Sequence, residues 1–494
     1  MKRPLKAALL ALTAPATLCM AQATAPAPAP VTPAPPEPSK PSAQPIYSPV
    51  RWTEDYSYLK DPALRTDFFD PVKYIPLGAD GFYISLGGQF RERYERFDSP
   101  GFGGIETDED GFVLHRGLFH ADIHLGPMFR IFGQYKFALA DGYEGDVRIT
   151  DADESDVQQL FIEAALPLGE KDKLLLRFGR QDLVYGAQRL ISPLDWTNTR
   201  RTFEGFRASA TTGTNTLDFF WVRPVIVDKQ HPNDGDDNTS FAGVYNTLAL
   251  PDFIEGAGTK FEVYGLALNK TTAPASGTQG PVAVDSDTYT VGARFFTAPK
   301  PFDLDIEADY QFGKFDDQDI SAWSFAAEGG YTVADTFAKP RLFLGFDIAS
   351  GDDSTADDEF NRFNQLFPLA HAYLGYIDVI ARQNIIDLHP GVDLLLAEKA
   401  SWAQKLTLRA EYHLFWRQDT ADGVFNAGGA LLRGAGGSSE RFIGSELDLL
   451  LTWQIDRHTQ AYFGWSRFFA GDFIEDTGPS EDIDYLYAAL QFTF

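Results

Sequence analysis

The chain has 494 residues, with 70 Asp and Glu against 42 Lys and Arg, and a formal net charge of −28 at pH 7. So large an acidic excess excludes nucleic acid as an expected partner. The only cysteine, Cys19, falls within the N-terminal leader, so the mature chain is expected to carry neither disulfides nor cysteine-bound metal.

Residues 1–23 open on Lys2, Arg3 and Lys6, continue through an apolar stretch from Ala7 to Leu18, and end on Ala21-Gln22-Ala23. This is the pattern of a secretory signal peptide with its cleavage site. Leu18 stands before Cys19 where a lipoprotein signal would want a small residue. Residues 24–49 are dominated by Pro and Ala and can neither pair as strands nor bury a core, so an extended periplasmic linker is expected. Beyond the leader no run approaches the roughly 18 to 20 apolar residues of a spanning helix. Any membrane crossing must therefore use strands.

Residues 50–494 are expected to form one domain. From Phe82 onward a unit recurs: about ten residues of alternating polarity, then a connection, with short and long connections taking turns. About eighteen such segments fit before Phe494, which predicts a transmembrane antiparallel β-barrel with both ends on the periplasmic side and an aqueous lumen. Short turns are expected at Gly126-Pro127, Pro167 to Asp172, Thr212 to Asn215, Ala298 to Pro301 and Asp456-Arg457. The long connections are acidic, from Asp141, from His231, FDDQD from Phe315, and GDDSTADDE from Gly351, and are expected outside the cell. The segment from Asp352 to Asn384 also carries Leu366, Phe367, Tyr373 and Tyr376, which suits a lid or an inward-folded constriction. A soluble multi-sheet β protein would alternate too, but Phe, Tyr, Trp and Leu fill one face of nearly every segment, as lipid contact requires.

An Arg or Lys facing lipid near the midplane costs about 2–4 kcal/mol, so the charged parity of each strand must face the lumen. In YISLGGQFRERYE that parity holds Arg91, Arg93 and Glu95, with Phe90 and Tyr94 on the other side. Later strands add Arg116, His120, Asp122 and His124, then Arg130 and Lys136, Arg177, Arg207, Arg294, Arg341 with Asp347, and Arg409 with Glu411 and His413. One strand is acidic inside, with Asp305, Glu307 and Asp309, and Glu328, Glu446 and Asp448 extend that supply. Arg180 breaks the alternation set by Arg177, so either the strand bulges there or Arg180 belongs to an extracellular segment that folds inward.

These charges admit a bland reading, cross-barrel ion-pair ladders that fix the wall. They also admit a functional one, in which surplus Arg lines a constriction for an anion and carboxylates temper its affinity. No calcium-loop spacing occurs in the acidic connections, the histidines offer no metal constellation, and no G-x-S-x-G nucleophile elbow is present. No cofactor, metal or catalytic residue is therefore expected.

Several runs together resemble the alginate export family of outer-membrane porins: KYIPL at Lys73, GGQFRERYE at Gly87, LRFGRQDLVYGAQRLISPLDWTNTRRTFEGFR at Leu176, and SGDD with FNQLFPLAHAYLGYID from Ser350 onward. The resemblance spans about Arg51 to Phe494. It implies an eighteen-stranded, monomeric barrel in the Gram-negative outer membrane that carries a uronic-acid polymer, alginate or its mannuronate precursor, through an arginine-rich constriction. The matching residues are Arg91, Arg93, Arg180 and Arg189, with Arg200 and Arg207 nearby. The Pro-rich tether and the acidic strand from Asp303 depart from that pattern.

The expected function is thus passive, selective transport of an anionic polysaccharide or oligosaccharide. The alternatives are a porin for small organic anions or oligosaccharides, and a plugged structural or adhesive barrel. Expected partners are membrane lipid, lipopolysaccharide and periplasmic export proteins.

Overall fold

The computed structural model describes residues 47–494, apart from 106–110, 144–145, 252–253, 274–283 and 355. The leader and the linker up to residue 46 lie outside the described residues. Period-two alternation produces eighteen long strands. They are β1 (Phe82–Asp98), β2 (Gly111–Leu125), β3 (Phe129–Asp141), β4 (Asp153–Pro167), β5 (Lys173–Gln181) and β6 (Phe203–Thr212). Next come β7 (Asn215–Ile226), β8 (Thr239–Ala249), β9 (Lys260–Ala273), β10 (Val284–Thr297), β11 (Phe302–Phe315) and β12 (Gln318–Thr332). The last six are β13 (Arg341–Ala349), β14 (Ile385–Ala400), β15 (Ala403–Trp416), β16 (Phe442–Gln454), β17 (Thr459–Ala470) and β18 (Ile483–Thr493).

Each strand pairs antiparallel with its sequence neighbours, and β18 returns to β1 in a register running from Gln89↔Thr493 to Asp98↔Asp484. The sheet is therefore a closed barrel without free edges. Its outer surface exposes Phe90, Phe129, Ile162, Phe178, Trp221, Leu344, Phe463 and Leu490, while Arg91, Arg93, Glu95 and Arg116 are buried on the inner parity. A soluble sandwich would reverse that arrangement; an apolar exterior around a charged interior is the bilayer solution. Among the described residues, no helix is long and apolar enough to cross a membrane.

Two acidic connections shrink into the wall. FDDQD is a two-residue turn at Asp316-Asp317, with Asp316 at φ 54°, because the alternation of β11 and β12 continues almost to it. Phe360 of the later segment covers that end, stacking on Phe315 at 4.3 Å, and pairs parallel to β12 through Ile320. Asp153, at the end of the connection from Asp141, joins β4, where Lys136 holds it at 2.7 Å.

The wall strands begin at Phe82, and residues 47–81 pack at the periplasmic end. Three 3-10 turns and a short helix (α1, Asp70–Lys73) lead to Ile75–Pro76, which lies along β1. Asp61 accepts from the Ala63 amide ahead of Pro62, a cap that starts one of the turns. Tyr56, Leu59, Tyr74 and Tyr83 form a small apolar cluster there. Arg51 bonds the Gly88 carbonyl at 3.2 Å and the Phe494 carbonyl at 2.8 Å, across the seam between β1 and β18.

The main apolar core lies inside the barrel. Two connections fold inward, 182–202 and 350–384, burying Leu183, Leu190 and Ile191 against Phe203, Phe220 and Phe241, together with Phe363, Phe367, Leu374 and Ile377. They pair through an Ile191↔Phe367 bridge, in which Phe367 donates to Leu190 and Ser192 donates to Phe367, each at 2.9 Å. Gly179 and Gly205 face each other at the root of the first connection with φ of 130° and 150°. Side chains there would run into the backbone of β4 and β7.

Candidate functional site: the arginine wall and the lumen cavity

Alternation aims Arg91 and Arg93 of β1 and Arg116 of β2 at the same patch of lumen, and the connection 182–202 occupies it. Arg91 donates to the Asp195 and Thr197 carbonyls at 3.2 and 3.0 Å, and Arg116 to the same two at 2.9 and 3.0 Å. Arg93 donates to the Trp196 carbonyl at 2.6 Å, lies over its ring at 4.1 Å, and pairs with Glu95 at 2.6 Å. Lys136 reaches the Thr199 carbonyl at 2.7 Å, and Arg200 pairs with Asp182 at 2.6 Å. Burial alone would raise the Asp195 carboxyl, but Arg200, Arg116 and Arg91 together hold it well below the usual carboxylate range. These guanidiniums hold the connection 182–202 against the wall.

Several other inward cations sit in ion pairs. Arg130 grips Asp122 at 2.6 and 2.7 Å, Arg177 holds Glu163 at 2.9 Å, and Arg207 meets Asp218 at 2.7 Å. Trp52 of the periplasmic segment lies 3.8 Å from Arg177 and offers its carbonyl to Arg130. The acidic strand β11 is largely neutralised: Arg294 binds Asp305 at 2.9 and 2.6 Å, and Arg189 reaches Asp305 and Glu307, both at 3.0 Å. Asp309 accepts from Tyr264 at 2.6 Å and Ser324 at 2.9 Å. Arg341 joins Asp303, Glu328 and Asp393, and Asp347 pairs instead with Arg382 of the infolded segment.

Arg180 stands apart from the lumen set. The register of β5 runs unbroken through it, and it shares parity with Phe178, which is 63% exposed on the outer surface. Its guanidinium is held by Asp156 at 2.8 Å, Glu204 at 2.7 Å and the Asn233 carbonyl at 2.6 Å. There is neither a bulge nor an inward fold at this position, so Arg180 does not line the lumen.

A cavity of about 490 Å³ remains against β15–β18 and β1. Arg91 and Arg409 both border it, but the Arg91 guanidinium is held by the Asp195 and Thr197 carbonyls, so Arg409 supplies the open guanidinium, while Gln89, Gln454, Gln460 and Gln491 line it beside them. Its roof is Trp196 stacked on His371 at 3.6 Å, its sides include Tyr376, Tyr462 and Tyr487, and Tyr47, Arg457 and His458 line its other end. Arg409 is held by Asp393 at 2.7 and 3.0 Å, yet its side chain stays 29% exposed. Such a surface can offer ring faces to sugar rings, amides to hydroxyls and a forked cation to carboxylates.

Trp196, His371, Tyr462, Tyr487, Arg457 and the segment carrying Trp52 were not among the residues expected to matter. One signal was available in the sequence. The run LVYGAQRLISPLDW is apolar and aromatic where the other long connections are acidic, and a chain of that composition gains by leaving water.

Residues 82–487 match the alginate export family. No curated protein matches the sequence. Among solved structures, OccD3 (OpdP) of Pseudomonas aeruginosa superposes with a TM-score of 0.54 at 11% identity, over 85% of this chain and 92% of that one. OprD of the same organism gives 0.53 at 13%, over 85% and 97%, and OpdK, solved with vanillate, gives 0.54 at 10%, over 83% and 98%. These likenesses concern the fold. The family match, running from the first wall strand into the last, means that this chain belongs to the alginate export family and is a channel protein of the Gram-negative outer membrane.

Proposed function

We propose that the chain is a passive, selective channel for an anionic polysaccharide of the uronate type, alginate-like in having one carboxylate per ring. The observation that carries this reading is the lumen cavity, where the partly exposed Arg409 shares one wall with four glutamines and a roof of stacked Trp196 and His371. A polymer of flat rings with regular carboxylates presents the complementary groups in sequence. Carboxylates such as Asp393 hold the guanidiniums and moderate their grip, which conduction needs, because a bound ion must also leave. A closed lumen built from one chain requires no second copy, so one pore per monomer follows. Lipid and lipopolysaccharide surround the apolar band, and the segment 47–81 faces any periplasmic export partner.

Planar-bilayer recordings test this. Mannuronate oligomers at millimolar levels should interrupt the current, and a current blocked only by small organic anions would overturn the polymer reading. That second reading, uptake of small organic anions or oligosaccharides, is favoured by the pairing of the two infolded connections, since the cavity they leave is of the size that holds small ligands. Replacing residues 366–378 with a short Gly-Ser link should raise conductance severalfold and admit longer oligomers. Liposomes that admit neither class of solute before or after this change would point to a plugged, structural barrel.

A further inference from the structure

Three consecutive strands carry acid and imidazole at inward positions two residues apart: Asp387 and His389 on β14, Glu411 and His413 on β15, Glu446 and Asp448 on β16. The register sets Glu411 opposite Asp448 and His413 opposite Glu446. Gly345 lies across from His389, and its missing side chain leaves the imidazole room. All six side chains are nearly or fully buried.

The polarity of this row is oriented. His413 Nδ1 donates to Asp387 Oδ2 at 3.0 Å, which directs Nε2 at Asp448 Oδ2, 3.8 Å away and beyond hydrogen-bond range. Ser466 bonds one oxygen of Asp448, and the Asp448 and Glu446 carboxyls meet each other, with no N–H or hydroxyl donor among the described residues on Asp448 Oδ2 or Glu446 Oε2. Glu446 Oε1 also accepts from the Ile377 amide of the infolded connection at 2.9 Å. Glu411, His413 and Asp448 each offer a ligand atom within 4.8 Å of the others. Two buried carboxyls in contact cannot both stay ionised unless a shared proton or a cation lies between them.

We propose that Glu411, His413 and Asp448 bind a divalent transition-metal ion of the zinc class inside the barrel wall. Imidazole nitrogen with carboxylate oxygen selects this class over calcium or magnesium, which take oxygen shells. Ligand bonds of about 2.0–2.2 Å require the donor atoms to lie slightly closer together than they do here, a small contraction. Asp387 is the outer carboxylate that fixes the His413 tautomer, as metal-bound histidines usually require. Glu446 stands beside the site and ties it to Ile377, so the ion would brace the infolded connection against the wall. The histidines, dispersed along the sequence, gave no metal constellation; strand pairing assembles one.

The test uses the full chain without a histidine tag, extracted from outer membranes, stripped with chelator and dialysed against micromolar Zn²⁺. Heat-modifiable gel mobility confirms the folded barrel, and elemental analysis gives the metal content. One zinc per folded chain is expected, lost in His413→Gln and bound roughly 10- to 100-fold more weakly in Asp387→Asn. Equal zinc in the wild type and folded His413→Gln, or none in the folded wild type, overturns the proposal. Should the variants fail to fold, zinc-edge X-ray absorption of the wild type decides. A mixed nitrogen and oxygen shell supports the site, and an oxygen-only shell, from ions on the acidic connections, overturns it.

Discussion

On β1 the guanidinium of Arg93 ends on the Trp196 carbonyl and its side chain is 1% exposed, whereas on β15 the guanidinium of Arg409 is gripped by Asp393 and remains 29% exposed to the cavity. Both arginines obey the same parity rule, and both sit on strands of the same closed sheet. They differ in what stands before them. The connection 182–202 has packed against Arg93, while Arg409 borders open volume together with Gln454, Gln460 and Gln491. An inward guanidinium is therefore a structural anchor or a ligand according to the loop in front of it, and the two roles fail differently when removed.

The largest effect is expected where the arginine is an anchor. Arg93→Ala leaves Glu95 buried with the more distant Arg148 and the Tyr485 hydroxyl and frees the Trp196 carbonyl. Removing one partner of a buried pair costs about 3–5 kcal/mol, and the lower end applies here because Arg148 remains. Unfolding in denaturant should report the loss, with noisier single-channel current as 182–202 loosens; unchanged stability would break the distinction between the two walls.

Arg409→Ala should act in the opposite sense. Stability should change little at this half-exposed pair, while block by mannuronate oligomers should weaken by roughly ten- to hundredfold, as follows from about 1.5–3 kcal/mol for a hydrogen bond to a charged group. If Arg93→Ala weakened block more than Arg409→Ala at equal folding, the cavity would not be the binding surface.

The smallest effect concerns the periplasmic segment. Lys73 of α1 bonds the Leu86 carbonyl at 2.8 Å among Tyr47, Tyr56 and Phe494, with Arg51, Glu54, Asp67 and Arg457 as charged neighbours. Burial first, then Arg51, pushes its ammonium down to about 7 from an ordinary 10.5. Between those values the undocked segment holds a proton that the docked one has released, so docking strengthens as pH rises through this window and is flat below it. The slope is at most about 1.4 kcal/mol per pH unit. Protease cleavage within residues 47–76 should slow from pH 7 to pH 9, and Lys73→Met should remove the dependence.

The lumen parity was legible because lipid enforces it: Arg91, Arg116, Arg130, Arg177, Arg294 and Arg409 all carry their charge on the inner face. Arg180 was ambiguous on sequence because it falls three residues after Arg177 and so on the opposite parity, and only the unbroken register of β5 places it outside. FDDQD looked like a loop because Asp disfavours strands, yet cover by Phe360 keeps it a tight turn.

By itself the sequence determined the closed barrel, its eighteen strands and the face that most strand charges take, Arg180 excepted, since alternation is local and a lipid exterior penalises a misplaced charge. Which arginines remain open to a solute was decided only in three dimensions. It depends on Ile191 meeting Phe367 and on the carbonyls of 195–197 meeting β1 and β2, contacts between residues far apart in the chain that no local pattern encodes.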